Sequence, residues 1–252
     1  MKKLFNKFLR VIREILFRNN KHTIRYGLAK GMKRIGGISF LPLNKKDSKE
    51  KQFLNKLDLQ NKIVYDVGAL EGIMTLFFAR KVGEGKVVAF EPNPQNFSMI
   101  KRNISVNNLT NVLLSNYAIG KKDETIDFIV PKYFRGHGSF INRYQMSKNS
   151  FCYKVKVTSV DNLIKKNNYP VPDFIKLDIE GFELFALEGM KSLLQNKKPK
   201  LFIEVHEFVE NNMNKITEML LKYNYSIYHI ENDVDVHDIK DLKIEGGHLF
   251  CE

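Results

Sequence analysis

The chain has 252 residues, 43% of them hydrophobic, which suits one ordinary domain with an extension, and no apolar run nears the ~20 residues of a membrane span. Its two cysteines, Cys152 and Cys251, have neither metal nor redox spacing, so both are expected as unpaired buried thiols in a reducing compartment. The net charge is +13, but residues 1–37 hold eleven Lys/Arg against one acid and the remainder holds 30 against 27, so the near-neutral body argues against a nucleic-acid binder.

Residues 3–18 fit an amphipathic helix with Leu4, Phe5, Phe8, Ile12, Ile15 and Leu16 on one face and Lys3, Lys7, Arg10 and Arg13 mostly off it. Charges interrupt every candidate apolar core, which excludes a signal peptide. A basic amphipathic helix lies either on an anionic membrane surface or against the domain's own flank. Gly27 to Pro42 is a glycine-rich connection, and a charged helix over 45–56 leads into the first strand. This divides the chain into a basic extension, 1–45, and a main domain, 46–252.

From there strands and helices alternate. Strand 62–67, helix 71–82, strand 86–91, helix 94–107 (started by Pro94) and strand 111–115 come first. Thr125–Val130 and Phe151–Val157 then alternate as strands around a polar stretch containing Gly136-His137-Gly138-Ser139, an excursion over one edge. Helix 159–167, strand 173–178, helix 182–195, strand 200–205, helix 208–223, strand 225–230 and a final strand, Gly247–Cys251, complete the pattern. Apolar strands alternating with helices imply a mostly parallel sheet covered on both faces.

The turn after the first strand, Asp66-Val-Gly68-Ala69-Leu70-Glu71-Gly72, carries the most chemistry. Its glycines let a ligand approach the backbone. Glu91, at the end of the next strand, is spaced to accept hydrogen bonds from ribose hydroxyls. Asp66 and Glu71 would repel a pyrophosphate, which weighs against a nicotinamide-dependent oxidoreductase. They suit a cationic cofactor, and S-adenosylmethionine carries both a sulfonium and an ammonium.

A second constellation lies at two later strand ends. Asp178-Ile-Glu180-Gly-Phe-Glu183 follows one strand, and Glu204-Val-His206-Glu207 closes the other. If these strands are neighbours, Asp178, Glu204 and His206 converge beside the cofactor. An alcohol nucleophile needs a group to take its proton. His206 has the suitable intrinsic pKa, and Asp178 is the alternative base. The same three residues are a donor set for a divalent metal that would lower a hydroxyl pKa. Asp178 and Glu180 also fit a plain helix-capping role, and Glu183 a solvated or Lys176-paired one. His22 and His137 are read as exposed, and His229 as a satisfied core-edge residue.

Asp66-Val-Gly-Ala-Leu-Glu-Gly72, Phe90-Glu-Pro-Asn-Pro94, Asn116-Tyr-Ala-Ile-Gly120, Gly138-Ser139 and Asp173-Phe-Ile-Lys-Leu-Asp-Ile-Glu-Gly-Phe-Glu183 together resemble the FkbM family of S-adenosylmethionine-dependent methyltransferases. The likeness is strong over about residues 60–206. It implies a Rossmann-like class I fold: a mostly parallel seven-stranded sheet, helices on both faces, last strand antiparallel. It also implies O-methylation of hydroxyls, often on sugars of glycans, glycolipids or natural products. By this resemblance Asp66, Gly68, Ala69, Gly72, Glu91, Asn93 and Ala118 hold the cofactor, Ala118 near the adenine. Asp178, Glu180 and Glu183 face the reaction side. Leu70-Glu71 departs from the family, which more often has Asn followed by a small or apolar residue. The expected location is the cytoplasm, with peripheral contact at the inner membrane face through residues 3–18. The rival functions are an RNA methyltransferase and a non-catalytic cofactor-binding module.

Overall fold

The computed structural model describes residues 19–37, 47–131, 150–206, 208–242 and 246–252. The amphipathic segment 3–18, the 45/46 boundary, and Gly136–Ser139 with His137 lie outside these. In chain order the elements are β1 (Lys21–Thr23), β2 (Lys33–Ile35), α1 (Lys49–Lys56), β3 (Ile63–Val67), α2 (Ile73–Lys81), β4 (Lys86–Phe90), α3 (Pro94–Val106), β5 (Val112–Ser115), β6 (Ala118–Ile119), β7 (Glu124–Pro131) and β8 (Ser150–Thr158). Then follow α4 (Val160–Asn167), β9 (Phe174–Leu177), α5 (Glu183–Glu188), α6 (Lys191–Asn196), β10 (Lys200–Val205), α7 (Asn212–Lys222), β11 (Ile227–His229), β12 (Val234–Val236) and β13 (Gly247–Cys251).

The main sheet runs β12-β11-β13-β10-β9-β3-β4-β5. The block from β10 to β5 is parallel. The last strand, β13, is antiparallel and inserted between β10 and β11. The class I arrangement is therefore present, with β12 added as an eighth, antiparallel edge strand. Both faces are covered because successive strand residues point to opposite sides. Tyr65, Ile175, Leu201 and Ile203 pack with Leu163, Leu187, Leu194 and Ile216 on one face. Val64, Val87, Phe174 and Phe202 pack with Leu54, Leu76 and Phe78 on the other.

The nine expected strands fall where the apolar runs place them, while the short β1, β2, β6 and β12 have no counterpart in the sequence reading; the helices differ more. The stretch expected as helix 182–195 is two short helices. The second starts afresh because Asp161 in α4 takes its first amides, from Ser192 at 2.9 Å and Leu193 at 3.0 Å. Helix α7 starts at Asn212 rather than 208, after Asn211 turns left-handed with φ 56°. The expected excursion is an antiparallel β7–β8 ladder, joined by β6 into a separate three-stranded sheet. Cys251 is buried as expected; Cys152 is exposed, in the solvent-facing first half of β8.

The glycine-rich connection carries β2, paired with β1, and packs on the body. Ile24 and Ala29 are buried in the second core cluster. Asn103 of α3 and Asn107, which caps its C-terminus, accept the amides of Ile35 at 2.8 Å and Lys33 at 2.7 Å.

Candidate active site

The tip of β3 and the tip of β4 are joined through the glycine turn. The amides of Gly68 and Ala69 both donate to the Phe90 carbonyl, at 3.1 and 3.0 Å. Gly68 has φ +83°, and a Cβ there would lie 1.8 Å from the Asp178 carbonyl oxygen. The turn thus presses directly on the loop that follows β9, and only glycine allows that approach. Leu70 sits in the left-handed region at φ 54°, which aims its amide at Glu91 Oε2, 2.8 Å away. Asn93 donates its amide to Glu91 Oε1 at 2.9 Å, and its side chain caps α3 by accepting from the Gln95 amide at 3.0 Å.

Glu91 is therefore held at the strand end as a buried acceptor. Burial pushes its pKa up to about 7, against the pull of the Asn93, Leu70 and Asn96 hydrogen bonds. Asp66 is wholly buried beneath the turn. Its Oδ2 accepts from the Thr75 hydroxyl at 2.6 Å, while Oδ1 has no hydrogen-bond partner. Burial raises its pKa, with Lys176 and Thr75 opposing the shift. Ala118, in β6, is buried with Phe128, Val130, Val155 and Val157.

Strands β9 and β10 are neighbours, so the second constellation converges. His206 Nε2 lies 3.9 Å from Asp178, 3.6 Å from Glu180 and 3.9 Å from Glu204. Its other nitrogen, Nδ1, is 3.2 Å from Glu183 Oε1. Glu183 is fully buried, which corrects its expected solvated or Lys176-paired role. Its carboxylate also accepts from the amides of Gly181 at 2.9 Å and Ile179 at 3.3 Å and from Asn212 Nδ2 at 3.1 Å. It organises the loop from inside, with Glu180 in the left-handed region at φ 55°. Helix α5 is capped by neither Asp178 nor Glu180: Phe182 holds the N-cap position without a side-chain bond.

Burial disfavours a charged His206, but Glu183, through its hydrogen bond and its charge, outweighs this together with Asp178 and Glu180, and the pKa is raised. Lys176 is the partner of Asp178 instead, at 2.9 Å, and also donates to the Gly68 carbonyl at 3.3 Å. Burial works against the charge on Asp178 too, yet Lys176 and His206 hold its carboxyl below the ordinary range.

Chain periodicity does not reveal Asn212, nor His248, whose Nε2 is 3.7 Å from Glu204 and whose Nδ1 is 2.5 Å from Glu231. The antiparallel pairing of Glu204 with His248 brings the latter in. Glu204 consequently stands between two histidines. His229 is buried and satisfied as expected: Nε2 is 3.3 Å from the Gly246 carbonyl, and Nδ1 accepts from the Asn232 amide at 3.3 Å.

Asp178, Glu204 and His206 each offer one donor atom, all within 4.8 Å of one another. Two carboxylate oxygens and an imidazole nitrogen fit a divalent ion. Lys176 competes for one oxygen of Asp178.

The model of the Methyltransferase FkbM domain matches residues 66–227. The hexuronic acid methyltransferase AglP of Haloferax volcanii is 28% identical over 151 residues, 60% of this chain and 59% of that protein. Methyltransferase 1 of Beauveria bassiana is 24% identical over 50% of this chain and 57% of its own length. The chain thus spans less than three fifths of each of these relatives. The crystal structure of an FkbM methyltransferase from Methylobacillus flagellatus superposes with a TM-score of 0.53 at 20% identity, covering 80% of this chain and 46% of that one.

Proposed function

The chain belongs to the FkbM methyltransferase family, and from that premise we propose that it transfers a methyl group from S-adenosylmethionine to a hydroxyl on a sugar. The observation that carries this is His206, held between the buried Glu183 on one ring nitrogen and Asp178, Glu180 and Glu204 around the other. This lies one loop away from the glycine turn, across the Gly68–Asp178 contact.

When bound, S-adenosylmethionine supplies an electrophilic methyl on a sulfonium. Glu91 receives the ribose hydroxyls, and Gly68, Ala69 and Gly72 give the backbone room, with Asp66 and Asn93 bracing the turn and strand end from beneath. Ala118 would lie toward the adenine. The buried acceptor Glu91, held at the strand end by the Leu70 and Asn93 amides, fits a ribose-bearing ligand.

On the acceptor side, Glu183 accepts from His206 Nδ1 and so leaves Nε2 as the proton-accepting nitrogen in the neutral ring. His206 takes the proton of the acceptor hydroxyl at Nε2, and Glu183 stabilises the imidazolium that results. Asp178, Glu180 and Glu204 form a rim of acceptors suited to the neighbouring hydroxyls of a sugar. The sugar reading is supported by the name of the archaeal relative, a hexuronic acid methyltransferase. A glycan, glycolipid or natural-product sugar would serve equally. No helix among the described residues is long and apolar enough to cross a membrane. Residues 3–18 would supply peripheral contact if the acceptor is membrane-linked.

A second reading places a divalent ion on Asp178, Glu204 and His206, because their donor atoms cluster within 4.8 Å. The ion would lower the hydroxyl pKa and replace His206 as the activating group. Methyl transfer after exhaustive chelation separates the two. Undiminished transfer supports the histidine base, and loss restored by added Mg²⁺ or Mn²⁺ supports the metal. No transfer to any hydroxyl acceptor by a protein that binds the cofactor would remove both.

A further inference from the structure

The amino-acid end of S-adenosylmethionine carries an ammonium and a carboxylate. Glu71, Glu91 and the wholly buried Asp66 make the surroundings of the glycine turn acidic, so a carboxylate placed there needs a cation. Among the described residues, two cations contact the turn. Lys176 donates to Asp178 at 2.9 Å and to the Gly68 carbonyl at 3.3 Å, and its charge is shared with the buried Asp66 at 3.9 Å. The other is Arg34, from the hairpin before the main domain. It is only 8% exposed, and one terminal nitrogen pairs with Glu71. Its Nε–H is buried without a partner.

Arg34 is also a built feature. Gly37 packs flat on the guanidinium, where a Cβ would lie 2.8 Å from Cζ, and its φ of +72° favours glycine on the backbone side as well. Asn103 fixes the hairpin to the turn by accepting from the Ile35 amide at 2.8 Å and donating to the Glu71 carbonyl at 3.1 Å. An arginine has five donors in a planar fork that matches a carboxylate. A buried one that uses part of that fork on Glu71 retains capacity for a second carboxylate.

Resting on the S-adenosylmethionine reading above, we propose that Arg34 is the receptor for the carboxylate of the cofactor's methionyl end, and that the hairpin of residues 21–35 is therefore part of the cofactor site. Glu71 has a matching purpose. It holds the guanidinium at the turn and leaves the local charge near zero, so the departure from the family's usual residue is compensated by Arg34.

The test is titration calorimetry of the full chain with S-adenosylmethionine and with decarboxylated S-adenosylmethionine, which lacks only that carboxylate. In the unaltered protein, removing the carboxylate should cost about 10- to 100-fold in affinity, the range of a charge-assisted bidentate contact. In Arg34→Gln the two ligands should bind alike, at the level of the decarboxylated one. Its retained binding of the decarboxylated ligand reports an intact fold. Should Arg34→Gln not fold, Arg34→Lys carries the same readout with a smaller loss. Arg34→Gln combined with Glu71→Gln separates recognition from mere charge balance. Continued indifference to the carboxylate supports the proposal, and restored discrimination overturns it. An equal carboxylate penalty in the unaltered protein and in Arg34→Gln also overturns it. Failure of the unaltered protein to bind either ligand would remove the cofactor reading itself.

Discussion

In the proposed reaction His206 is the general base. His206→Gln should lower turnover by about 10²- to 10⁴-fold, the usual contribution of a general base. Cofactor affinity, read by calorimetry, should stay unchanged. The pH profile has a definite sign. The raised pKa of His206 means that the neutral, proton-accepting ring is populated only as pH rises above the ordinary histidine value. The acid limb of turnover should therefore lie above pH 6.5, and Glu183→Gln, which removes the strongest support for the imidazolium, should move it to lower pH. Glu91 titrates in the other role. With its pKa raised to about 7, it gains a proton as pH falls below that value and ceases to be a full acceptor. Affinity for S-adenosylhomocysteine should weaken between pH 8 and 6, and Glu91→Gln should abolish that dependence. Much of this was legible in the chain. Alternation along a strand put Glu204 and His206 on one side, and the spacing of Glu91 from the turn put it at the end of the next strand, where it accepts from the turn. The burial of Glu183 was not legible, because its partners Asn212 and His206 come from elements 23 to 29 residues away.

Among the elements, the two strand-end loops are built against each other. Gly68→Ala would force a methyl group to within 1.8 Å of the Asp178 carbonyl, so one of the two loops must shift. A loss on the order of 3 kcal/mol or more is expected in denaturant unfolding, the upper range for point changes. Any folded fraction should have lost both cofactor and acceptor binding, because the displaced backbone joins the two proposed sites. The strands were readable from apolar runs bounded by turn residues, since burial on both faces leaves little else. The helix ends were not. The break at 189–190 depends on Asp161, which sits 31 and 32 residues from the amides it accepts. The hairpin at 21–35 was read as a connection because its three-residue strands are too short to show a period. Asparagines of α3 and its C-cap fix their edges.

Across the whole molecule, His248 ties together three distant parts: Glu50 of α1, Glu204 of β10 and Glu231 after β11. Burial opposes its charge, but Glu204 and Glu231, through hydrogen bonds, outweigh it together with the Glu50 charge and push its pKa up to about 9. A group with a raised folded pKa contributes fully below its unfolded value of 6.5 and loses that contribution as pH climbs to its folded value. Unfolding free energy should therefore fall between pH 6.5 and 9, by on the order of 3 kcal/mol, melting temperature should fall with it, and His248→Gln should flatten the slope. The sheet order was legible as a class, because alternating strands and helices admit few topologies. The pairing of Glu204 with His248 arises only once β13 inserts antiparallel beside β10. The most direct measurement of the whole is transfer from methyl-labelled S-adenosylmethionine to a panel of sugar acceptors, hexuronic acids included, beside an RNA control. Label recovered as a methyl ether on a sugar hydroxyl, and lost with His206→Gln, is the expected result. Label in RNA alone, or none in any sugar while the cofactor binds, would contradict it.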